Sequence, residues 1–239
     1  MAQKYLYEHG LPFSEDLKTD VLIPITKKLK RIPRVLIIDG TSGTGKTTLG
    51  VEIVDFINGE PMNLDPDECV QLARGGLELT EKAEQCKKGG YKVIIYDEAS
   101  DLNRRGAMTR FNREMTTFFA TYRSLGMLII ICVQNVHSLD VVNDLGLTVG
   151  LIHLHNPQEH YTNYMVYDLE NLSYLLTFMD KNPRQRRKAY GKSKGYKRGR
   201  FLDLPPERAK LLEALSNTQK KKARKESRAR LIKDAEEKQ

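Results

Sequence analysis

A glycine-rich run at residues 40–47 carries the clearest chemistry in the sequence. Its letters, GTSGTGKT, match the pattern G-x-x-x-x-G-K-[ST] and follow an apolar stretch. In this pattern, backbone N–H groups turn inward around phosphate groups, and the lysine, here Lys46, adds positive charge at the β- and γ-phosphates. The hydroxyl of Thr47 is placed to bind Mg²⁺. We therefore predict an ATP site formed by the following residues: Gly40, Thr41, Ser42, Gly43, Thr44, Gly45, Lys46, Thr47 and Thr48.

Two later apolar runs are each followed directly by polar residues. Residues 93–96 lead into Asp97 and Glu98, and residues 128–133 lead into Gln134. At the carboxyl end of a strand, Asp97 can hold Mg²⁺ through water, and Glu98 can orient and deprotonate the water that attacks the γ-phosphate. We expect the amide of Gln134 to contact the γ-phosphate or that water. These residues predict hydrolysis of ATP with Mg²⁺ as cofactor.

The elements that position these groups are predicted from hydrophobic patterning. The apolar runs at 35–39, 92–97 and 127–134 are nearly continuous, which is typical of parallel strands buried on both faces. Helices are predicted at 46–58, 66–74, 79–88, 107–124, 171–179 and 205–238, and further strands at 148–155 and 162–168. Strands that alternate with helices indicate an α/β fold with a mostly parallel central sheet flanked by helices.

The order of these motifs resembles the additional-strand catalytic-glutamate P-loop ATPases. Within that class it is most similar to the FtsK–HerA group, which includes viral genome-packaging ATPases and zonula-occludens-toxin-like proteins. The resemblance covers about residues 34–156 and implies a RecA-like core that assembles into a ring and couples ATP hydrolysis to DNA movement. It matches Lys46 and Thr47 with the Walker-A residues, Asp97 and Glu98 with the Walker-B pair, and Gln134 with the sensor glutamine.

An arginine that reaches the nucleotide of a neighbouring subunit is also implied by the resemblance. The family often carries it just after the fourth strand, but residues 149–157 contain none. The candidates are Arg123, Arg104 and Arg105, and Arg123 is the best placed because it lies just before the sensor strand. The alternative is that Arg123 is an ordinary positive charge at a helix C-terminus.

The positive charge of the chain is concentrated in its last quarter. Residues 1–180 carry a net charge of −6, whereas residues 181–239 carry +14, and the total is +8. Such a segment favours sequence-nonspecific contact with DNA, with duplex DNA expected, and Tyr190 and Tyr196 are placed to stack on bases. The alternatives are a solvated tail and an anionic membrane surface. The predicted DNA contacts are Arg184, Arg186, Arg187, Lys188, Lys192, Lys194, Lys197, Arg198 and Arg200.

The composition of the chain predicts its division into segments and its location in the cell. We predict an N-terminal lead-in segment at 1–33, a P-loop ATPase core at 34–180 and a basic, mainly helical extension at 181–239. The longest apolar run has seven residues, far fewer than the ~20 that span a bilayer, and the N-terminus has no apolar signal sequence. Three separated cysteines argue against disulfides and zinc, and we expect His153, His155 and His160 to be packing or solvent-facing histidines rather than metal ligands. A cytoplasmic protein without an integral membrane segment is expected, in the host cytoplasm if the protein is viral.

Together these features predict a Mg²⁺-dependent ATPase that translocates DNA as a homo-oligomeric ring. Its partners would be DNA and a portal, capsid or secretion complex. An AAA+ helicase-loader-like ATPase and a P-loop small-molecule kinase remain alternatives, as does a non-catalytic nucleic-acid-binding or scaffold protein. Packaging, conjugation, segregation and phage export share the same core chemistry and stay open at this point.

Overall fold

The computed structural model describes residues 12–29, 33–74, 76–97, 117–118, 126–139, 147–185, 188–190 and 197–236. The strands are β1 (Arg34–Asp39), β2 (Leu72–Ala73), β3 (Val93–Asp97), β4 (Leu128–Val133), β5 (Thr148–His155), β6 (Tyr161–Tyr167) and β7 (Lys197–Leu202). The helices are α1 (Glu15–Leu17), α2 (Ile23–Lys28), α3 (Lys46–Asn58), α4 (Gly76–Lys88), α5 (Leu169–Lys181) and α6 (Pro206–Glu236). A π-helical turn, Lys18–Leu22, joins α1 to α2.

All seven strands form one sheet in the order β2-β3-β4-β1-β5-β6-β7. The pairs among β2, β3, β4, β1 and β5 are parallel, and the pairs β5–β6 and β6–β7 are antiparallel. Strand β4 therefore lies between β1, which leads into the glycine-rich run, and β3, which ends in Asp97. The predicted α/β fold with a central sheet flanked by helices is confirmed.

Alternate residues of the central strands supply two separate cores. Leu36 and Ile38 of β1 pack into the core under α1, α2, α3 and α6, whereas Val35 and Ile37 pack into the core under α4 and α5. Because side chains of a strand point alternately to opposite faces, a strand with a helix layer on each side needs apolar residues at every position. This explains why β1, β3 and β4 are continuous apolar runs.

The basic segment 181–239 was predicted as an extension of the ATPase core, and in the structure parts of it pack into that core. Strand β7 forms an edge of the sheet by pairing with β6, and Phe201 is fully buried. Leu212 and Leu215 of α6 are buried in the same core as α3, and Phe13 from the N-terminal segment bridges to Phe201. A few well-spaced apolar residues are enough to anchor β7 and α6 in the core. These residues are hard to recognise in the sequence because the segment as a whole is highly charged.

The helix predicted at 66–74 is wrong. The carboxylate of Asp65 accepts a hydrogen bond from the backbone N–H of Asp67 (2.8 Å), and the chain makes a single turn here. The next residues are drawn into the sheet as β2, where Leu72 is opposite Ile95 of β3. Side-chain capping of this kind stabilises isolated turns as well as helices, so the sequence signal was ambiguous.

The predicted helix at 107–124 lies outside the described residues apart from 117–118. Within the part of the chain that the structure describes, no helix is both long and apolar enough to cross a membrane.

Glu52 on α3 is a carboxyl group inside the protein. Its exposed fraction is 3%, and burial raises its pKa well above the usual 4.5. The charges of Asp55 and Asp203 act in the same direction, and that of Arg208 opposes them. The folded protein therefore keeps the proton of Glu52 at pH values where the unfolded chain has released it.

We expect this proton to make stability depend on pH. Above pH 4.5 the unfolded state binds fewer protons than the folded state, so Glu52 lowers the free energy of unfolding by about 1.4 kcal/mol per pH unit until its folded pKa is reached. The variant Glu52→Gln should remove this slope and be more stable than the wild type at pH 8. Urea unfolding at pH 5 and pH 8 measures it, with the exposed Glu213→Gln as control. Equal slopes in all three proteins would show that Glu52 is ionised in the folded state.

Candidate nucleotide-binding site

The phosphate loop (residues 40–47) connects β1 to α3 through backbone that only glycine adopts easily. Gly43 and Gly45 have φ values of +81°, in the left-handed region. A Cβ atom on Gly40 would lie 2.9 Å from the backbone oxygen of Leu154 in β5. A Cβ on Gly45 would lie 3.1 Å from the ring of Phe201 in β7. The loop is thus packed closely against residues of β5 and β7.

Lys46 lies across the phosphate loop. Its side-chain Nζ donates hydrogen bonds to the backbone oxygens of Gly40 and Thr41, both at 2.8 Å, and 7% of the residue is exposed. Burial lowers the pKa of this ammonium, and the carboxylates of Asp97 and Asp39 oppose that effect. An ammonium has three N–H donors, and two are used by described residues of the loop. The third is available to a phosphate oxygen.

Asp97 and Thr47, the two predicted Mg²⁺ ligands, are brought together by the fold. The hydroxyl of Thr47 donates to Oδ2 of Asp97 at 3.2 Å, and the aspartate is 2% exposed. The other oxygen, Oδ1, is buried and has no hydrogen-bond donor among the described residues. A buried carboxylate oxygen without a donor beside a hydroxyl suits a hard cation, because Mg²⁺ prefers oxygen ligands. These residues fit the predicted metal.

Gln134 follows β4 and lines the same cavity as Lys46, Thr47 and Asp97. The cavity has a volume of about 190 Å³. Small-molecule pockets usually measure about 300–1,000 Å³, so this one suits a phosphate chain rather than a whole nucleotide. The predicted base Glu98 and the predicted arginines Arg123, Arg104 and Arg105 lie outside the described residues.

Sequence reasoning missed three side chains at this cavity. Arg74, directly after β2, forms an ion pair with Asp97 (Nη2 to Oδ2, 2.7 Å) and donates to the hydroxyl of Ser216 in α6 at 3.0 Å. Ser216 and Lys220 line the cavity with it. Arg74 was hidden because it fell in a wrongly predicted helix. Ser216 and Lys220 carry no motif, and only the fold brings them to a loop more than 160 residues away.

A second polar cluster lies behind the phosphate loop, around Asp39. This residue is fully buried, and its carboxylate accepts hydrogen bonds from His153 Nδ1 (2.7 Å), the backbone N–H of Val136 (3.1 Å) and the hydroxyl of Tyr190. The ring of Tyr190 stacks on His153 with 3.6 Å between centroids. Burial, with the charge of Asp39, raises the pKa of Tyr190 well above its usual value, so the phenol remains a donor. The prediction that Tyr190 stacks on bases is wrong, because its ring is committed to this cluster.

Among the predicted DNA contacts, Arg184, Lys188, Arg198 and Arg200 are exposed. Lys197 is half-buried and pairs with Asp20 (3.0 Å), and Arg200 lies over the ring of Tyr161 at 4.8 Å from its centroid. Arg186, Arg187, Lys192, Lys194 and the aromatic Tyr196 lie outside the described residues.

No protein-family model matches the chain, and neither does any curated protein sequence. Solved structures do match. The N-terminal domain of zonular occludens toxin from Neisseria meningitidis is 18% identical, with a TM-score of 0.34 over 57% of this chain and 84% of that one. The flagellar accessory protein FlaH from Methanocaldococcus jannaschii is 16% identical, with a TM-score of 0.27 over 61% of this chain and 83% of that one. Sequence identities and TM-scores this low assign no role to any residue of the site.

The cluster around Asp39 should contribute measurably to stability. Tyr190→Phe removes one of the donors to a buried carboxylate, which should lower the free energy of unfolding by about 1–3 kcal/mol. Urea unfolding measures the loss, and Tyr174→Phe is the matched control because Tyr174 is 59% exposed. Equal stabilities of the two variants would contradict the role of Tyr190 at Asp39.

Proposed function

We propose that the protein is a Mg²⁺-dependent ATPase. The observation that carries this proposal is the convergence of Lys46, Thr47 and Asp97 on one cavity at the phosphate loop. The strand order supports it, because the additional-strand class is named for a strand between the P-loop strand and the acidic strand, and β4 has that position. Gln134 at the end of β4 agrees with the predicted sensor role.

Each residue has a distinct task in this proposal. Lys46 and the loop N–H groups bind the β- and γ-phosphates, while Thr47 and Asp97 hold Mg²⁺. The metal, when bound, neutralises charge on the phosphate oxygens. Glu98, the residue after Asp97, takes the proton of the attacking water, and Gln134 orients that water. Apart from an arginine, hydrolysis then requires no residue from outside these motifs.

Substitution of the two central residues separates binding from chemistry. Lys46→Ala should abolish binding of ATP, whereas Glu98→Gln should retain binding and lower the rate of hydrolysis by about 10²-fold or more. Phosphate release and equilibrium binding of a fluorescent ATP analogue measure the two effects. Glu98→Gln, which holds ATP, is also the variant in which sedimentation should reveal the expected ring. Hydrolysis by Glu98→Gln at the wild-type rate would show that the base is another residue.

The second part of the proposal is that hydrolysis moves DNA. It is supported by the net charge of +14 in residues 181–239 and by the exposure of Arg184, Lys188, Arg198 and Arg200. Contacts of arginine and lysine with phosphates carry no base preference, which suits a motor that must bind every step of its track equally. A portal, capsid or secretion complex remains the expected partner. A small-molecule kinase would instead phosphorylate its substrate without any polymer.

Deleting the basic segment would not test DNA binding, because β7 and α6 belong to the core. The double substitution Arg198→Gln and Arg200→Gln removes two exposed charges of β7 and leaves the buried Phe201 in place. It should weaken binding of duplex DNA and lower the slope of log affinity against log salt by about 1.8, or 0.9 per lost phosphate contact. Fluorescence anisotropy at several salt concentrations measures both quantities.

The matched control for this experiment is Lys87→Gln with Lys88→Gln, two exposed charges at the end of α4. The ATPase rate of the wild type should be measured with duplex DNA, single-stranded DNA, RNA and no polymer. Unchanged rates in all four conditions would contradict the motor and favour the kinase.

A further inference from the structure

The guanidinium of Arg74 is buried in the wall of the phosphate cavity. Its side chain is 8% exposed, and one nitrogen, Nη2, contacts both Asp97 Oδ2 (2.7 Å) and the hydroxyl of Ser216 (3.0 Å). Another nitrogen, Nε, is buried and has no acceptor among the described residues. Leaving a buried N–H group without an acceptor is unfavourable, so this nitrogen indicates a missing partner with an acceptor oxygen.

The carboxylate of Asp97, which Arg74 contacts, has one oxygen that lacks a hydrogen-bond donor in the same way that Nε of Arg74 lacks an acceptor. Oδ1 of Asp97 is buried and has no donor among the described residues. An acceptor without a donor and a donor without an acceptor therefore belong to two side chains that are in contact and line one cavity. A cation next to an anionic oxygen would satisfy both, and a metal-bound phosphate supplies that combination.

We propose that Arg74 binds the terminal phosphate of the nucleoside triphosphate held by its own chain. This inference rests on the proposed ATPase function and deepens it. The carboxylate that Arg74 contacts belongs to the last residue of β3, directly before the predicted base Glu98, and lines the same cavity as Gln134, which is the γ-phosphate end in the proposed arrangement. A guanidinium presents five N–H donors in a planar fork, so it can hold Asp97 on one side and a phosphate oxygen on another.

The assignment accounts for two further features. Residues 149–157, where the family resemblance leads one to expect an arginine, contain none. Arg74 supplies such a charge from within the same chain. In addition, the hydrogen bond to Ser216 joins Arg74 to α6. The side chain of Gln219, also in α6, donates to the backbone oxygen of Leu72 at 3.0 Å. The final helix is therefore fixed to the short strand from which Arg74 projects.

Equilibrium binding of ATP and ADP to the full chain tests the inference, because ADP lacks the terminal phosphate. With Mg²⁺ present, Arg74→Gln should weaken ATP binding about tenfold or more, as expected for loss of a charge-assisted hydrogen bond, and change ADP binding less than twofold. The matched control is Arg208→Gln, which removes an arginine that pairs α6 with Asp55 of α3. It should leave the ratio of ATP to ADP affinity unchanged.

A second variant guards against a folding defect. Arg74→Lys keeps a positive charge beside Asp97 but cannot hold the carboxylate and a phosphate with one planar group. Circular dichroism should give it a melting temperature close to that of the wild type, and its preference for ATP over ADP should fall at least fivefold. An unchanged preference in the folded variants, or an equal loss of both nucleotides, would show that Arg74 only neutralises Asp97. A wild-type protein that binds neither nucleotide would overturn the proposed function itself.

Discussion

Asp39 is fully buried at the end of β1, one residue before the phosphate loop, and three donors converge on its carboxylate. They come from the turn after β4, from β5 and from Tyr190 in the basic segment. A buried charge is tolerated only when its hydrogen bonds are satisfied, so these parts cannot separate without leaving the carboxylate unpaired. The backbone on which the loop is built is therefore fixed from three directions, independently of what the loop binds.

Asp97 occupies a comparable position at the end of β3, but its surroundings differ. Asp39 receives donors at both oxygens, whereas Oδ1 of Asp97 has no donor among the described residues. Two buried carboxylates at the carboxyl ends of parallel strands thus differ in their hydrogen bonding: both oxygens of Asp39 accept bonds from the protein, whereas one oxygen of Asp97 has no donor among the described residues. This difference, more than the acid residue itself, supports a structural role for Asp39 and the proposed ligand-binding role for Asp97.

The parts predicted correctly from the sequence are those encoded by neighbouring residues. The three apolar strands, the glycine-rich turn between β1 and α3, and α3 itself depend on contiguous patterns, and the fold follows from the alternation of strands and helices. Arg74, Ser216 and Tyr190 were missed or misassigned because their roles depend on partners more than 20 residues away, reaching 151 residues for Tyr190. Strand β7 was missed for another reason: charged residues dominate its composition, and its buried apolar residues, Phe201 and Leu202, come only at its end.

The two edges of the sheet carry features that prevent it from growing. Strand β2 has only two residues, and the backbone oxygen of Leu72 is already bound by Lys82 (2.7 Å) and Gln219 (3.0 Å). The opposite edge, β7, presents the exposed Arg198 and Arg200. Short strands, capped carbonyls and cationic side chains all discourage the pairing of one sheet with another. The like charges of Arg198 and Arg200 also repel identical edges, so the proposed concentration of many chains along DNA would not lead to aggregation through their sheets.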